Sequence, residues 1–339
     1  MEIYHMKKTV SFEDVLLTPQ YSEIFSRKEI DISVILTNEV KLSIPIISSP
    51  MDTITEDAMA ISIASCGGMG IIHRYNTPEE QLRLAENSFP HPVACAIGVT
   101  GDYLERAQLL VKGGVSILCL DIAHGHHSLM RYALTVLRNT FGNKVHLMAG
   151  NVATLDGFND LADWGADSIR VGIGGGSICS TRVQTGHGVP TLQSVIDCSW
   201  SDRDVILIAD GGIRNSGDIV KSLAAGADLV MVGSLLAGTI ESPGEIIYKD
   251  GEKYKSYRGM ASKEAQIQWR GHFASVEGVS SMVPCRGSAE EVLKSLETGI
   301  RSGLSYTGAK NVMELQNKSL FIEQTSAGQL ESSTHINKN

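Results

Sequence analysis

Short apolar runs alternate with longer amphipathic ones through most of the chain. The apolar runs open near residues 46, 69, 93, 116, 145, 168, 205 and 229 and are rich in Val, Ile and Leu. Runs of that composition, apolar without a polar alternate, are what strands buried on both faces require. Between them, 56–66, 78–87, Tyr103–Lys112, Ser128–Phe141, 155–164, Thr191–Cys198 and 216–225 carry apolar residues near helical spacing. Thr55 is expected to cap the first of these helices. Thr77 is expected to cap the second, where Pro78 suits the first turn. Such strict alternation predicts a parallel sheet of the α/β class. Eight units predict a closed (β/α)8 TIM barrel, with a doubly wound open sheet as the second reading. The barrel core is expected over about 42–305, within a single catalytic domain covering 1–339. Residues 30–36 read as a short strand and 289–304 as a further helix. The tail, 326–339, has no periodicity and is expected to be disordered.

A barrel of this kind carries its chemistry on the loops after the strands. Ser48, Ser49, Met51 and Asp52 follow the first strand, Asp121, His124 and Gly125 the fourth, and Asn151 the fifth. The sixth runs into Gly172-Ile173-Gly174-Gly175-Gly176-Ser177-Ile178-Cys179-Ser180-Thr181, where glycines allow close backbone approach to a ligand. There Cys179 is a candidate nucleophile, though an isolated cysteine is more often a small core residue. Thr181 is placed to orient or polarise a leaving group or water. Asp210-Gly211-Gly212 and Gly233-Ser234 follow the seventh and eighth strands, where barrels often hold a phosphate. Asp210 would repel a phosphate but suits ribose hydroxyls, and Asp121 suits a ribose or amide. His124, His126 and His127 read as a surface loop rather than a metal site. After Tyr254–Ser262 comes a polar stretch, ending at Ser275-Val276-Glu277-Gly278, that reads as a mobile lid, with Glu277 as a candidate acid/base.

Composition narrows the setting. The 339 residues are 42% hydrophobic and 20% charged, with a formal net charge of −9, which argues against nucleic-acid binding. Six scattered cysteines form no CxxC pair, and Cys66, Cys95 and Cys119 lie in apolar runs that suit a core. The pattern fits a reducing cytoplasm. No apolar run approaches the roughly 18 residues of a membrane span, and the N-terminus lacks a secretory apolar region.

Five motifs together are specific. Phe12-Glu13-Asp14-Val15-Leu16-Leu17, Ser48-Ser49-Pro50-Met51-Asp52-Thr53, the Gly172–Cys179 loop, Ile208-Ala209-Asp210-Gly211-Gly212-Ile213 and Tyr257-Arg258-Gly259-Met260 resemble the IMP dehydrogenase/GMP reductase family over about residues 10–330. The resemblance implies a barrel, usually a homotetramer, that binds a purine 5′-monophosphate, GMP or IMP, and a nicotinamide cofactor. Carried over, it makes Cys179 the group that attacks purine C2, with Thr181 and Glu277 completing the catalytic set. It puts Ser177, Gly212, Gly233, Ser234 and Tyr257 at the phosphate and Asp210 at the ribose. Ser49 and Met51 also fall at the substrate, and Met260 and Ala261 beside the base. Asp121, Ala123 and Gly172 fall at the cofactor. The carbonyls of Gly174, Gly176 and Cys179 match the dehydrogenases' potassium site.

The branch is read from what is missing. The dehydrogenases activate water with an Arg-Tyr pair on a long flap. Between Met260 and Glu277 this chain has Arg270 but no Arg-Tyr dipeptide. It also has no CBS insertion. That favours GMP reductase, using NADPH to convert GMP to IMP and ammonia through a covalent Cys179 thioimidate. The alternative is a CBS-less IMP dehydrogenase using NAD, to which the stretch Ser326-Ala327-Gly328-Gln329-Leu330-Glu331-Ser332 is similar. Gly175 stands where the family commonly has proline, and Ala261 where it has glycine or serine. A non-catalytic nucleotide-binding barrel is the third reading, against which the retained Cys179, Thr181, Glu277 and Asp210 argue.

Overall fold

The computed structural model describes residues 6–332. Eight parallel strands close into a barrel: β1 (Ile46–Ser48), β2 (Met69–Ile72), β3 (Val93–Ile97), β4 (Ile117–Asp121), β5 (His146–Val152), β6 (Ser168–Val171), β7 (Ile206–Asp210) and β8 (Leu229–Val232). The ring closes through β8 on β1, with Met231 opposite Ile47, and β6 on β7, with Ile208 opposite Arg170. The open-sheet alternative is thereby set aside. Helix Pro78–Ser88 leads into β3 with no inserted domain.

Alternation along the strands separates two cores. Ile47, Met69, Ile71, Ala94, Ala96, Ile117, Cys119, Met148, Ile208, Leu229 and Met231 form one cluster, the lumen. Their neighbours in sequence, such as Ile46, Ile72, Cys95, Leu118 and Ile169, pack instead with helical residues in the outer core. The expected strand at 30–36 is only Val34–Ile35, which pairs with Lys41–Leu42 in a hairpin. Leu36 and Leu42 of that hairpin join the lumen cluster and plug it. On β6 the lumen-facing alternates are polar: Ser168 accepts or donates to His146 at 2.8 Å, and Arg170 lies one layer higher.

Helix ends follow local chemistry. The Thr77 hydroxyl accepts the Glu80 N–H at 3.2 Å, as expected of a cap. Thr55 does not cap its helix, Asp57–Ser65. Its buried hydroxyl donates instead to Ser49 O at 2.7 Å and lies 2.8 Å from Ser48 Oγ, tying the end of β1 to the helix start. Cys95 and Cys119 are buried, but Cys66 sits at that helix's C-cap and is half-buried.

Outside the barrel, Ile247–Lys249, Glu252–Arg258 and Ser280–Pro284 make a three-stranded antiparallel sheet. The stretch after Ser262 expected to be a mobile lid opens instead with helix Lys263–Arg270. Ser262 caps that helix by accepting the Ala265 N–H at 3.3 Å, and Gly271 ends it in the left-handed region. Its eight residues hold too few apolar positions to mark a period, which hid it in the sequence. The helix expected at 289–304 runs over Ala289–Thr307. Val15–Leu17 pairs antiparallel with Phe321–Glu323. The expectation of a disordered tail is corrected at Ser326–Glu331, a helix capped by Thr325; 333–339 lie outside the described residues. Among the described residues no helix is long and apolar enough to cross a membrane.

Candidate active site

A cavity of about 450 Å³ opens at the C-terminal ends of the strands. Of the strand-end candidates, Ser48, Asp52, His124 and Gly125 do not line it. Those that do are Ser49 and Met51 after β1, Asp121 and Ala123 after β4, Asn151 after β5, and Gly172, Gly174, Gly176, Ser177, Cys179 and Thr181 after β6. Asp210 and Gly212 after β7, Gly233 and Ser234 after β8, and Tyr257, Met260, Ala261 and Glu277 from the added segment complete it.

At its floor stands Arg170, 6% exposed. Its Nη1 donates to Asp121 Oδ1 at 2.6 Å, and its Nε and Nη2 donate to Asp210 Oδ2 at 3.1 and 2.9 Å. Burial opposes the guanidinium charge, but Asp210, then Cys119 and Asp121, outweigh it and raise its pKa well above the ordinary value. Cys119 lies 3.4 Å from Nη1, and burial pushes its thiol up to about 12. Asn151 Nδ2 donates to Asp210 Oδ2 and to Gly172 O, both at 2.8 Å. Two glycines make this layer possible. A Cβ at Gly150 would stand 2.6 Å from the Arg170 Cβ, and one at Gly172 2.0 Å from Asp210 O. Sequence reading passed over Arg170; the available signal was a lone cation in an otherwise apolar strand.

The reactive side is a relay. Cys179 Sγ donates to Thr181 Oγ1 at 3.1 Å, and Thr181 Oγ1 donates to Glu277 Oε2 at 2.9 Å. Ser275 Oγ donates to the other Glu277 oxygen at 3.1 Å. Main-chain bonds hold these distant segments together: Ser180 N to Glu277 O at 2.9 Å, Val279 N to Ile178 O at 3.0 Å, and Glu277 N to Ala261 O at 3.1 Å. Cys179 itself is exposed to the cavity rather than a core thiol.

Opposite, Tyr257 and Ser177 bring their hydroxyls to 3.2 Å. Burial raises the Tyr257 phenol above its ordinary value, against bonds to Ser177 and Ser234. A Cβ at Gly233 would lie 3.2 Å from Ser49 Oγ and 3.5 Å from Tyr257 Oη, so these polar groups converge on one spot. Arg258 forms a two-pronged ion pair with Asp52 and donates to Gln268 Oε1 at 2.7 Å, tying the β1 loop to helix Lys263–Arg270. The Asp52 N–H points at Met260 Sδ, 3.4 Å away. Trp269 and Arg270 from that helix also line the cavity. The histidine loop is structural: His126 Nε2 meets Asp160 Oδ2 at 2.8 Å, and His127 caps Ser128–Phe141. Among the described residues no metal-ligating cluster of acidic, histidine or cysteine side chains occurs.

A closed parallel barrel with a nucleotide-sized cavity at its C-terminal rim defines the (β/α)8 enzyme class. Comparison with known proteins narrows this. The IMP dehydrogenase / GMP reductase domain matches residues 9–335, and the chain belongs to that family of oxidoreductases, which use a nicotinamide cofactor. Inosine-5′-monophosphate dehydrogenase of Cryptosporidium parvum is 38% identical, the alignment covering 97% of this chain and 95% of that protein. GMP reductase of Leishmania major is 31% identical, covering 96% of each. A crystal structure of a Cys-to-Ala variant of GMP reductase from Trypanosoma brucei in complex with guanosine 5′-monophosphate superposes with a TM-score of 0.91 at 30% identity, covering 98% of both chains.

Proposed function

We propose that the chain is a GMP reductase, converting GMP to IMP and ammonia. The observation that carries this is the Cys179–Thr181–Glu277 relay, closed by a segment that has no Arg-Tyr pair to activate water. As Cys179 Sγ attacks C2 of the guanine, its thiol proton passes through Thr181 to Glu277. The relay returns that proton to the 2-amino group, the C2–N bond breaks, ammonia leaves, and a Cys179–purine thioimidate remains. The nicotinamide cofactor, NADPH in this reading, supplies a hydride to C2 when bound; the Cys179–C2 bond then breaks and IMP departs. Backbone donors at Gly212, Gly233 and Ser234, with Ser177 and Tyr257, suit the phosphate. Asp210, with Asn151 and Arg170 holding its carboxylate, suits the ribose hydroxyls.

A cofactor fits beside this. A second cavity of about 580 Å³ shares Arg74, Ile122, Trp269 and Arg270 with the first. Its cations are Arg74 and Arg270, since Arg106 is taken up by Asp102, Gln81 Oε1 and Asn76 O, and this pair suits the phosphates of a dinucleotide. Asp121, Ala123 and Gly172 line the first cavity, and in this reading they meet the nicotinamide end of the cofactor. Carbonyls of Gly174, Gly176 and Cys179 have the donor chemistry of potassium, although Gly176 O already accepts the Cys179 N–H at 3.1 Å. Three carbonyls alone are an incomplete shell, in keeping with a tetramer in which a second copy contributes. Six free cysteines suit a cytoplasmic setting.

The second reading, oxidation of IMP with NAD, has the 38% identity to a dehydrogenase in its favour. One assay separates the two: GMP with NADPH against IMP with NAD, followed at the reduced-cofactor absorbance. Loss of NADPH with GMP alone is expected; gain of NADH with IMP overturns the proposal. Cys179→Ala is expected to lower turnover by at least about 10⁴-fold and to remove the covalent purine adduct seen by mass spectrometry.

A further inference from the structure

One buried charge lies outside the relay and the cavity floor. In strand Glu252–Arg258, alternation puts Lys255 and Tyr257 on the same buried face, and Lys255 is 5% exposed. Its ammonium donates to three main-chain carbonyls: Thr239 and Ile240 at 3.0 Å each and Ser242 at 2.6 Å. Those bonds use all three donors of an ammonium. The adjacent carboxylate, Glu241, is engaged elsewhere: it accepts the Ala289 N–H at 2.8 Å and lies 3.4 Å from Ser62 Oγ.

The three carbonyls end a coiled turn that begins at Gly233. Leu236 N and Ala237 N donate to Gly233 O at 2.9 and 3.1 Å, Thr239 Oγ1 donates to Leu236 O at 2.8 Å, and Ser242 Oγ donates to Thr239 O at 2.8 Å. Carbonyls at such an end carry partial negative charge. Thr239 O already accepts the Ser242 hydroxyl and N–H, so Lys255 supplies the positive charge to all three carbonyls and a donor chiefly to Ile240 O and Ser242 O. Two residues along its strand is Tyr257, whose hydroxyl meets Ser177 and bonds Ser234.

We propose that Lys255 is a positioning residue for the phosphate cradle. It fixes the far end of the Gly233–Ser234 turn to the strand that carries Tyr257, and so sets the spacing between the two arms. This rests on the reading of that cradle as the nucleotide's phosphate site. Lys255 touches no substrate; its effect passes through the turn. Substitution leaves other ties between turn and sheet in place, since Arg286 N donates to Gly238 O at 2.7 Å and Arg286 Nη1 to Leu235 O at 3.2 Å.

The test is Lys255→Met, measured by calorimetry with GMP, IMP and guanosine and by steady-state kinetics. GMP and IMP affinity is expected to fall about 10-fold, guanosine affinity to stay within about twofold, and kcat to stay within about threefold while KM for the nucleotide rises (an effect of one buried charge-assisted contact set). A general structural role would weaken guanosine and GMP alike and lower kcat. Equal losses for the two ligands, or no loss for GMP in a folded variant, overturn the proposal. Lys255→Arg is the second variant: its planar fork cannot reproduce three bonds from one atom, so a smaller loss of GMP affinity, again absent with guanosine, is expected. If neither variant folds, the unequal response of the wild type to inorganic phosphate decides. Phosphate is expected to compete with GMP and to shift the ammonium 15N resonance of the buried Lys255, which guanosine leaves in place, and an unshifted resonance overturns the assignment. Failure of the wild type to bind either nucleotide removes the cradle reading itself and the inference with it.

Discussion

The floor of the cavity and its outer wall are built on different principles. The floor is Asp121, Arg170 and Asp210, on β4, β6 and β7, brought to one level across β5 by parallel-strand register, with Arg170 buried and the two carboxylates mostly so. The wall is the excursion from Met260 to Gly278, polar and partly exposed, held by main-chain bonds to residues 178–180. In the proposed reading the floor presents carboxylates of fixed geometry to the ribose, and the wall directs the proton. A family that carries out both reduction and oxidation of related purines can keep the first and vary the second.

That contrast can be broken by mutation. Arg170→Met leaves two carboxylates at the floor without their shared cation. Breaking a buried ion pair from one side costs about 3–5 kcal/mol, so a loss of that order is expected in denaturant unfolding, together with loss of nucleotide binding. A fully stable variant would show that the floor does not depend on the guanidinium. Glu277→Gln, in the wall, is expected to lower kcat about 10²–10³-fold through loss of general-acid function, with unfolding midpoint and nucleotide KM close to the parent. Unchanged kcat would remove Glu277 from the relay.

The smallest effect lies below both regions. Burial holds the His146 imidazole below its ordinary value, with Arg138 acting the same way and Asp167 against them. The unfolded chain therefore binds the proton more readily than the folded one. Stability is full above the ordinary imidazole value of about 6.5 and declines as pH falls through the lowered folded value. His146→Gln is expected to flatten the fall in unfolding midpoint between about pH 7.5 and about pH 5.5, the sensitivity that proton linkage predicts, without altering turnover at neutral pH. A slope equal to the parent's would place the acid sensitivity elsewhere.

The barrel was legible because its strands are apolar on both faces and its helices are not: two periods that rarely mimic each other. The cavity contacts were legible because barrel chemistry follows strand ends, and family resemblance supplied the added segment. Arg170 was not, because a charge inside a strand declares its partners only once register is known. Helix Lys263–Arg270 was not, because it is only eight residues long and its inward face, Ala265, Gln266 and Trp269, holds too few apolar residues to mark a period. Thr55 does not cap the helix because its hydroxyl turns back to Ser49 O and Ser48 Oγ, at the end of the preceding strand, rather than to the helix that follows.

The main-chain zipper between Ile178–Ser180 and Glu277–Val279 has a consequence for how such a site changes over time. Because amides rather than side chains hold the two segments in register, the identities at positions 181 and 277 are free to drift without unfastening the frame. A descendant could exchange the group that hands over the proton in one or two steps, and each intermediate would still close its cavity around the ligand.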